Sequence, residues 1–399
     1  MQGFANWRVS DVNGRANAAR IALALAIVVL LGVLVFLGIQ FMKVAEPTGV
    51  VHLNSSGMEW VRSIYGYGSA PEQQLESPYS VAIGPRGDIY VAEPTRAQVV
   101  RFSSFGEFKS IVRTGQGGRG KGQFIRPESI AVDTDGNLYI ADSWANKIIV
   151  FDRAGGYVRE WPVPSQARGV TVGDGEVYVL GAGRVYVYNL AGAAVRQFGS
   201  RGKNPGQIDA YQGVAVGNGR VYIADSYNSR IEAFDEHGTL AWCNPSTPTT
   251  ATSFETSRVA EATATFEWDL PQDLCLDGAG NLVVVDAFRF QLVTVDARDG
   301  SVLASYGDFG NLDGEFFYPT SVAYDPVRDW FAVADTQNNR VQIVRLPETS
   351  KSPVATAIRR IESSPTRYLL VPVALLLLLL VVSVIQWIRW GRTPAGDVS

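Results

Sequence analysis

The side chains of this chain that could do chemistry are mostly carboxylates, and they recur. Asp142, Asp225, Asp286 and Asp335, with Glu93 in the same place of one further copy, each end a short apolar run. Each is followed by a polar loop, which in several copies leads to a cation: Lys147, Arg230 or Arg340. Such acids could ring a metal. A carboxylate that accepts backbone N–H bonds across its own loop and faces that cation needs no ion, and this loop-organising role is the expected one. Asp133-Thr134-Asp135-Gly136-Asn137 has part of the look of a calcium loop, but a strand-like run follows where an EF-hand would continue towards its glutamate. It reads as a turn. Gly115-Gln116-Gly117-Gly118-Arg119-Gly120 has Gly-x-Gly-x-x-Gly spacing, yet no helical pattern follows it. Comparable glycines recur at Gly199-Ser200-Arg201-Gly202 and Gly307-Asp308-Phe309-Gly310, so the expectation is a loop and not a phosphate cradle. Only two histidines, His52 and His237, are present, and Gly-x-Ser-x-Gly, His-Glu-x-x-His and Cys-x-x-Cys-His are all missing. No catalytic set, metal or cofactor is expected.

The elements that position these residues are equally regular. In Pro127–Asp152 three apolar runs, Ile130–Val132, Leu138–Ala141 and Ile148–Phe151, have the length and β-branched content of strands. Asp-Gly-Asn between the first two is a hairpin signal, because these residues tolerate the positive φ of a tight turn. Six copies are present, their turn positions at Gly87, Gly136, Gly175, Gly219, Gly280 and Asp329, at spacings of 39 to 61 residues. That range suits four-stranded propeller blades. One such meander has two apolar faces and must stack to bury them.

The pattern Pro-x-x-apolar-Ala-Val-Asp-x-x-Gly-Asn-apolar-Tyr-apolar-Ala-Asp-Ser-x-x-Asn resembles the NHL repeat. Asp225-Ser226-Tyr227-Asn228-Ser229-Arg230-Ile231 and Asp335-Thr336-Gln337-Asn338-Asn339-Arg340-Val341 carry the same signature. The third copy departs from it, with Gly181-Ala182-Gly183 in place of a long polar loop, and the first carries Glu93-Pro94. Over roughly residues 50–346 the chain is similar to NHL-type six-bladed β-propellers, which implies that fold and leaves the activity open. Propeller lyases of the amidating and streptogramin types use several histidines, more than this chain supplies. A calcium-dependent, lactonase-like centre would have only Glu128 and Asp273 as inward acids.

The last copy contains only three strand runs. Residues 57–65, which resemble the outer strands Gly155–Trp161 and Gly192–Phe198, are expected to supply the fourth and so close the ring. Strand direction then defines an upper face, made of the loops before each innermost strand and the polar loops after each second strand. Candidate binding residues, expected to be exposed on it, are Tyr79, Glu128, Arg168, Tyr211, Gln212, Gln272, Asp273 and Thr320 near the channel, with Trp144, Tyr227, Phe288, Arg289 and Gln337 further out. Tyr, Trp and Arg are favoured at binding hot spots, and loops on a rigid scaffold carry function. The insertion within 244–267 is expected to rise to this face, as a flap or as decoration.

Two apolar runs flank the repeats. Residues 21–42 form an uninterrupted run of 22 residues and residues 369–387 one of 19, each free of charge and long enough to cross a bilayer. A cleaved signal peptide is the alternative for the first, but that run is longer than usual and lacks a small-x-small site before Lys43. Arg8, Arg15 and Arg20 precede the first span, which places the N-terminus in the cytoplasm. Arg359, Arg360 and Arg367 before the second span argue the other way. With two spans the termini share a side, and the propeller is expected to be extracytoplasmic.

The expected organisation is a cytoplasmic tail (1–20), a transmembrane helix (21–42), a linker (43–56), the propeller (57–346), a second linker (347–367), a second helix (368–388) and a cytoplasmic tail (389–399). Both linkers should leave from the lower rim, so the upper face would point away from the bilayer. Residues 43–367 hold 30 Lys and Arg against 37 Asp and Glu, a net of −7 that repels phosphate backbones and argues against nucleic acid. RNA-binding NHL propellers are poor guides for that reason. Cys243 and Cys275 are too few for a disulfide framework, although one bridge between them stays open. Together these features describe a membrane-anchored propeller acting as a non-catalytic scaffold for an extracytoplasmic protein. A small-molecule or glycan sensor is the alternative, disfavoured by tails too short for an output domain.

Overall fold

The computed structural model describes residues 57–112, 117–245 and 266–350. Both apolar runs, both tails, residues 43–56 and most of the 244–267 insertion and the 347–367 linker lie outside the described residues. Among the described residues no helix is long and apolar enough to cross a membrane.

Six four-stranded antiparallel sheets follow one another as blades. The innermost strands are Ser80–Ile83, Pro127–Val132, Gly169–Gly173, Val214–Gly217, Pro271–Leu276 and Pro319–Asp325, opening blades I to VI. From each, the chain meanders outward strand by strand. At the first hairpin of five blades the residue with φ between 69° and 90° is Gly87, Gly136, Gly175, Gly219 or Gly280; in blade VI Asp329 takes φ +54° instead. Asp133 shows why such a turn needs no calcium: its carboxylate accepts the N–H groups of Asp135 and Asn137 at 3.0 and 2.8 Å.

The hydrophobic core is not central. It is divided into six clusters, one at each seam between neighbouring blades. Alternation along every strand sends successive side chains to opposite sheet faces, so each blade feeds two seams. At the seam of blades I and II, for example, Tyr90 and Val99 from one sheet meet Ile130, Ile140 and Ile149 from the next.

Blade VI has only three strands from its own repeat, ending at Arg340–Arg345, and Glu59–Ile64 pairs along it as the fourth. Trp60 lies opposite Val344 and Ile64 opposite Val341. The closing segment also serves both neighbouring seams. Ile64 enters the cluster shared with blade I, and Met58 enters the cluster shared with blade V. Arg62 lies 5.1 Å over the ring of buried Trp330, whose indole donates to Asp325 at 3.0 Å. Both ends of the described chain lie together: Gly57 approaches Pro347, and Ser350 bridges to Gly278 in the lower-face turn of blade V. The two cysteines are free thiols in neighbouring blades, Cys243 on an outer strand and Cys275 on an innermost one.

Ile64 is almost wholly buried at the last seam to close. Ile64→Ala is therefore expected to cost about 2–5 kcal/mol, read as a lower midpoint in urea unfolding. Truncating half-exposed Tyr65 beside it should change that midpoint far less.

Candidate functional site

The loops that make the upper face are held from below by the recurring carboxylates. Asp142, Asp225, Asp286, Asp335 and Glu93 are fully buried, and each reaches back to the loop that precedes its own blade. Asp225 accepts Asp209 N at 2.6 Å, Asp335 accepts Phe317 N at 2.8 Å and Glu93 accepts Glu76 N at 2.6 Å. Asp286 accepts Asp269 N and Leu270 N at 3.0 and 2.9 Å; Asp142 accepts Ile125 N and Arg126 N at 2.7 and 3.2 Å. Blade III lacks the acid, having Leu180-Gly181 there, and the loop before it (163–168) is also the shortest. The acid occurs where a long loop needs a clasp.

In blades IV and VI the clasp is an ion pair. Arg230 Nε and Arg340 Nε lie 2.8 Å from Asp225 and Asp335. The same guanidiniums donate onward, Arg230 to the carbonyls of Lys203, Asn204 and Gln207, and Arg340 to those of Leu312 and Glu315. Lys147 breaks the expected pattern. Its ammonium pairs with Glu160 at 3.0 Å and not with Asp142, whose carboxylate is already occupied by four backbone N–H groups, Trp144 and Ala145 included.

Six of the candidate residues occupy one register position, just before the innermost strand turns into the channel: Tyr79, Glu128, Arg168, Gln212, Gln272 and Thr320. They form the upper mouth, but not all are free. Gln212, Gln272 and Thr320 are buried and hold blades together, which corrects the expectation that they are exposed. Gln212 Nε2 donates to Thr320 O at 2.6 Å, reaching past blade V, and Gln272 Nε2 donates to Tyr318 OH at 2.9 Å. Thr320 Oγ1 donates to Tyr79 O at 2.7 Å. The carbonyl oxygens Gln212 Oε1 and Gln272 Oε1 are buried without a partner. Burial pushes the Tyr79 phenol well above its ordinary value, with Glu128 adding to the shift. Arg126 pairs with Glu128 at 2.6 Å and stacks at 5.4 Å on Trp144. Arg168 lies over Tyr211 at 5.8 Å, and Tyr211 packs on Tyr227 at 4.7 Å.

One residue below, the position equivalent to Ser80 reads Ser80, Ser129, Gly169, Gly213, Asp273 and Ser321. This sequence position, unremarked in the repeat, latches the blades around the channel. Ser80 Oγ accepts Ile130 N, Ser129 Oγ accepts Val170 N and Ser321 Oγ accepts Val81 N, all at 3.1–3.2 Å. At blades III and IV glycine is obligatory, since a Cβ would lie 2.2 Å from Gln212 O and 2.7 Å from Gln272 O respectively.

Blade V places a carboxylate in this ring. Asp273 accepts Ser321 Oγ at 2.6 Å and Val322 N at 3.3 Å, with Leu274 N on its other oxygen. It is open to the channel, a cavity of about 320 Å³, yet lies at full depth among apolar strands; burial pushes its carboxyl up to about 7. Glu128, by contrast, sits at the mouth beside its arginine. The two acids do not converge, and among the described residues no group of three or more His, Cys, Asp or Glu is placed to hold a metal.

Further out, Trp144, Tyr227 and Phe288 are 57%, 50% and 52% exposed. Arg289 stacks on Phe266 at 5.0 Å and donates to Glu267 O, while Gln337 N is bonded to Phe317 O at 3.1 Å. Exposed Phe309, Leu312 and Phe317 belong to the same face and were not among the candidates, because they lie between repeats. Two open clefts of about 360 and 460 Å³ lie on the lower face, where Glu176 and Arg196 form a two-armed pair at 2.8 Å.

This geometry defines a β-propeller whose loops are rigidly clasped and whose channel is narrow. The chain is a six-bladed β-propeller: residues 75–179 match the family model described as a 6-bladed beta-propeller, and residues 212–234 match the NHL repeat. No curated protein matches. Among solved structures, hydrazine synthase of Kuenenia stuttgartiensis is similar at 13% identity, with 72% of this chain and 99% of that chain covered and a TM-score of 0.50. The WD40 repeats of RRP9 follow at 12% identity, 72% and 97% coverage and a TM-score of 0.50. A streptogramin B lyase matches at 14% identity, 72% and 98% coverage and a TM-score of 0.49. The first two likenesses show the fold alone, and the third is too loose to add to it.

Two predictions concern these buried charges. Arg340→Met leaves Asp335 buried without its counter-ion and is expected to cost about 3–5 kcal/mol in denaturant unfolding. The second is a pH dependence. Burial raises Asp273 to about 7, Glu232 (buried on the third strand of blade IV, 3.2 Å from Arg230) to about 7 and Asp286 to about 6. A raised carboxyl keeps its proton in the folded state over a window where the unfolded chain has released it, so stability falls as pH rises through that window. The melting temperature should rise as pH is lowered from about 8 to about 5. Asp273→Asn should flatten this slope and stabilise more at the alkaline end.

Proposed function

We propose that this chain is a membrane-anchored, non-catalytic interaction scaffold whose upper face docks an extracytoplasmic protein. The observation that carries the reading is the set of half-exposed aromatic residues, Trp144, Tyr227 and Phe288, on loops clasped from below by buried acids. An aromatic side chain already held in place loses little freedom when a partner covers it, which is the usual economy of a hot spot. Length, lack of charge and flanking arginines support spans at 21–42 and 368–388, with both termini cytoplasmic. The described chain begins and ends at the lower face, at Gly57 and Ser350, which supports an upper face free to receive a partner.

A second reading, a sensor of a small molecule or glycan, draws on the mouth. There Arg168 lies over Tyr211, which packs on half-exposed Tyr227, so the mouth offers a cation and aromatic faces to a polar ligand. A calcium-dependent hydrolase has less support, since Asp273 and Glu128 stand apart.

The test is site-specific photo-crosslinking from positions 144 and 227 in intact membranes, combined with protease added from outside. The scaffold reading expects one shared protein adduct from both positions and cleavage within the propeller. Absence of any protein adduct, or protection of the propeller unless the membrane is opened, would count decisively against it.

A further inference from the structure

Three connections between blades share a ten-residue frame, glycine at the first, fourth or nearby positions and Gly-Gln or Gly-Glu before a buried apolar residue. Residues 199–208 end in Gly206-Gln207-Ile208, residues 307–316 in Gly314-Glu315-Phe316, and the loop before blade II in Gly122-Gln123-Phe124. The frame folds alike: Gly310 N bonds Phe316 O at 3.0 Å, and Gly118 N bonds Phe124 O at 3.2 Å. Its exposed positions differ. At its third and sixth positions the loop before blade II has Gly117 and Gly120, and the loop before blade IV has Arg201 and Asn204. Before blade VI the same frame carries Phe309 and Leu312, 62% and 66% exposed. The fold does not require apolar residues at these points, because its sister loops do without them.

The loop is also rigid. Arg340 donates to the carbonyls of Leu312 and Glu315 at 2.7 and 3.0 Å, Gln342 Nε2 to Glu315 O at 2.6 Å and Asn338 Nδ2 to Gly310 O at 2.9 Å. Leu312 N is capped by Glu315 Oε2 at 3.0 Å. Phe309 packs against Phe290 and Phe317 with ring centroids 4.9 and 5.3 Å away, which leaves no space between the rings for a small ligand. Beside this cluster Phe288 stands 5.6 Å from Tyr318. The surrounding charge is negative: Asp308, Asp313 and Glu315 lie in the loop and exposed Glu267 and Asp269 precede blade V, against Arg289 and the buried Arg340, which pairs with Asp335 and lies 3.7 Å from Asp313.

We infer that the blade V–VI sector of the upper face docks a cationic segment of a partner protein, with leucine or aromatic anchors flanked by Lys or Arg. The inference rests on the scaffold reading above and assigns it a place and a partner chemistry. Apolar anchors cover Phe309 and Leu312, and the flanking cations meet Asp308 and its neighbours.

Fluorescence anisotropy with short labelled peptides tests it, using the whole purified chain. One peptide carries a leucine pair flanked by lysines, a second the same pair flanked by glutamates, and a third replaces the leucines by serine. The first should bind at least roughly tenfold more tightly than either other. The double variant Phe309→Ser, Leu312→Ser should lose roughly tenfold in that affinity with only a small fall in melting temperature, because both side chains are mostly exposed and what Phe309 gives up is its ring contact with Phe290 and Phe317. Asp308→Lys, a surface change that cannot empty a core, should weaken the lysine peptide alone. Equal binding of lysine and glutamate peptides overturns the inference, as does indifference to these variants. So does a large loss of melting temperature in the serine variant, or a concentration-dependent dimer that the variant abolishes, which would make a second copy the occupant. If the peptides fail while adducts from positions 144 and 227 persist, the scaffold reading stands and only this sector is misassigned.

Discussion

An antiparallel four-stranded meander presents two apolar faces, and a single layer cannot cover both. The ring is the solution this chain adopts: every face meets the next blade, and every seam becomes a small core. The arrangement succeeds only if the last face finds the first. That is why a strand from before the first blade, Glu59–Ile64, lies on Arg340–Arg345, and why Met58 and Ile64 divide themselves between two seams. Closure is therefore the constraint on which loop geometry, channel width and surface chemistry all rest.

Given the ring, the upper face is shaped by a second device, a buried acid at the end of the second strand. Burying a carboxylate is costly unless its oxygens are filled. Here they are filled by the N–H groups of the preceding loop, and in blades IV and VI by an arginine that also gathers three or two loop carbonyls. Desolvation that would otherwise destabilise the fold thus fixes the direction in which exposed side chains point. Half-exposed residues such as Trp144 and Tyr227 sit two positions beyond the acid, so the clasp and the presented side chain are neighbours in sequence as well as in space.

Much of this was legible in the sequence because each part has a local signature. Apolar alternation gave the strands, Asp-Gly-Asn and the turn positions equivalent to it gave the hairpins, and the resemblance of residues 57–65 to outer strands pointed to the closing pair. What could not be read was tertiary. Nothing local says that Lys147 prefers Glu160 to Asp142; the outcome depends on how many N–H groups crowd the aspartate. Gln212, Gln272 and Thr320 share a register with the partly exposed Glu128 and Arg168, yet they are buried; blades III to V approach closely there, as the contacts of Gly169 with Gln212 O and of Gly213 with Gln272 O reveal. The serine ring, with Asp273 in one of its places, joins residues tens to hundreds of positions apart. Phe309 and Leu312 lie in a joint between copies, where the repeat pattern prescribes no residue type. A comparison of those joints with one another, glycine frame against glycine frame, was the signal that could have found them.

The closing strand also carries a temporal consequence. Glu59 and its partner Arg345 are 286 positions apart, so a ribosome making the chain from its beginning releases the first of them long before the second exists. Until then the growing protein is an open arc with an unpaired strand at one end and an uncovered sheet at the other. Two such arcs side by side offer each other the same hydrogen bonds that each will later offer itself, and crowded nascent chains can exchange ends. One ring per chain therefore requires each arc to meet its own end before it meets another's.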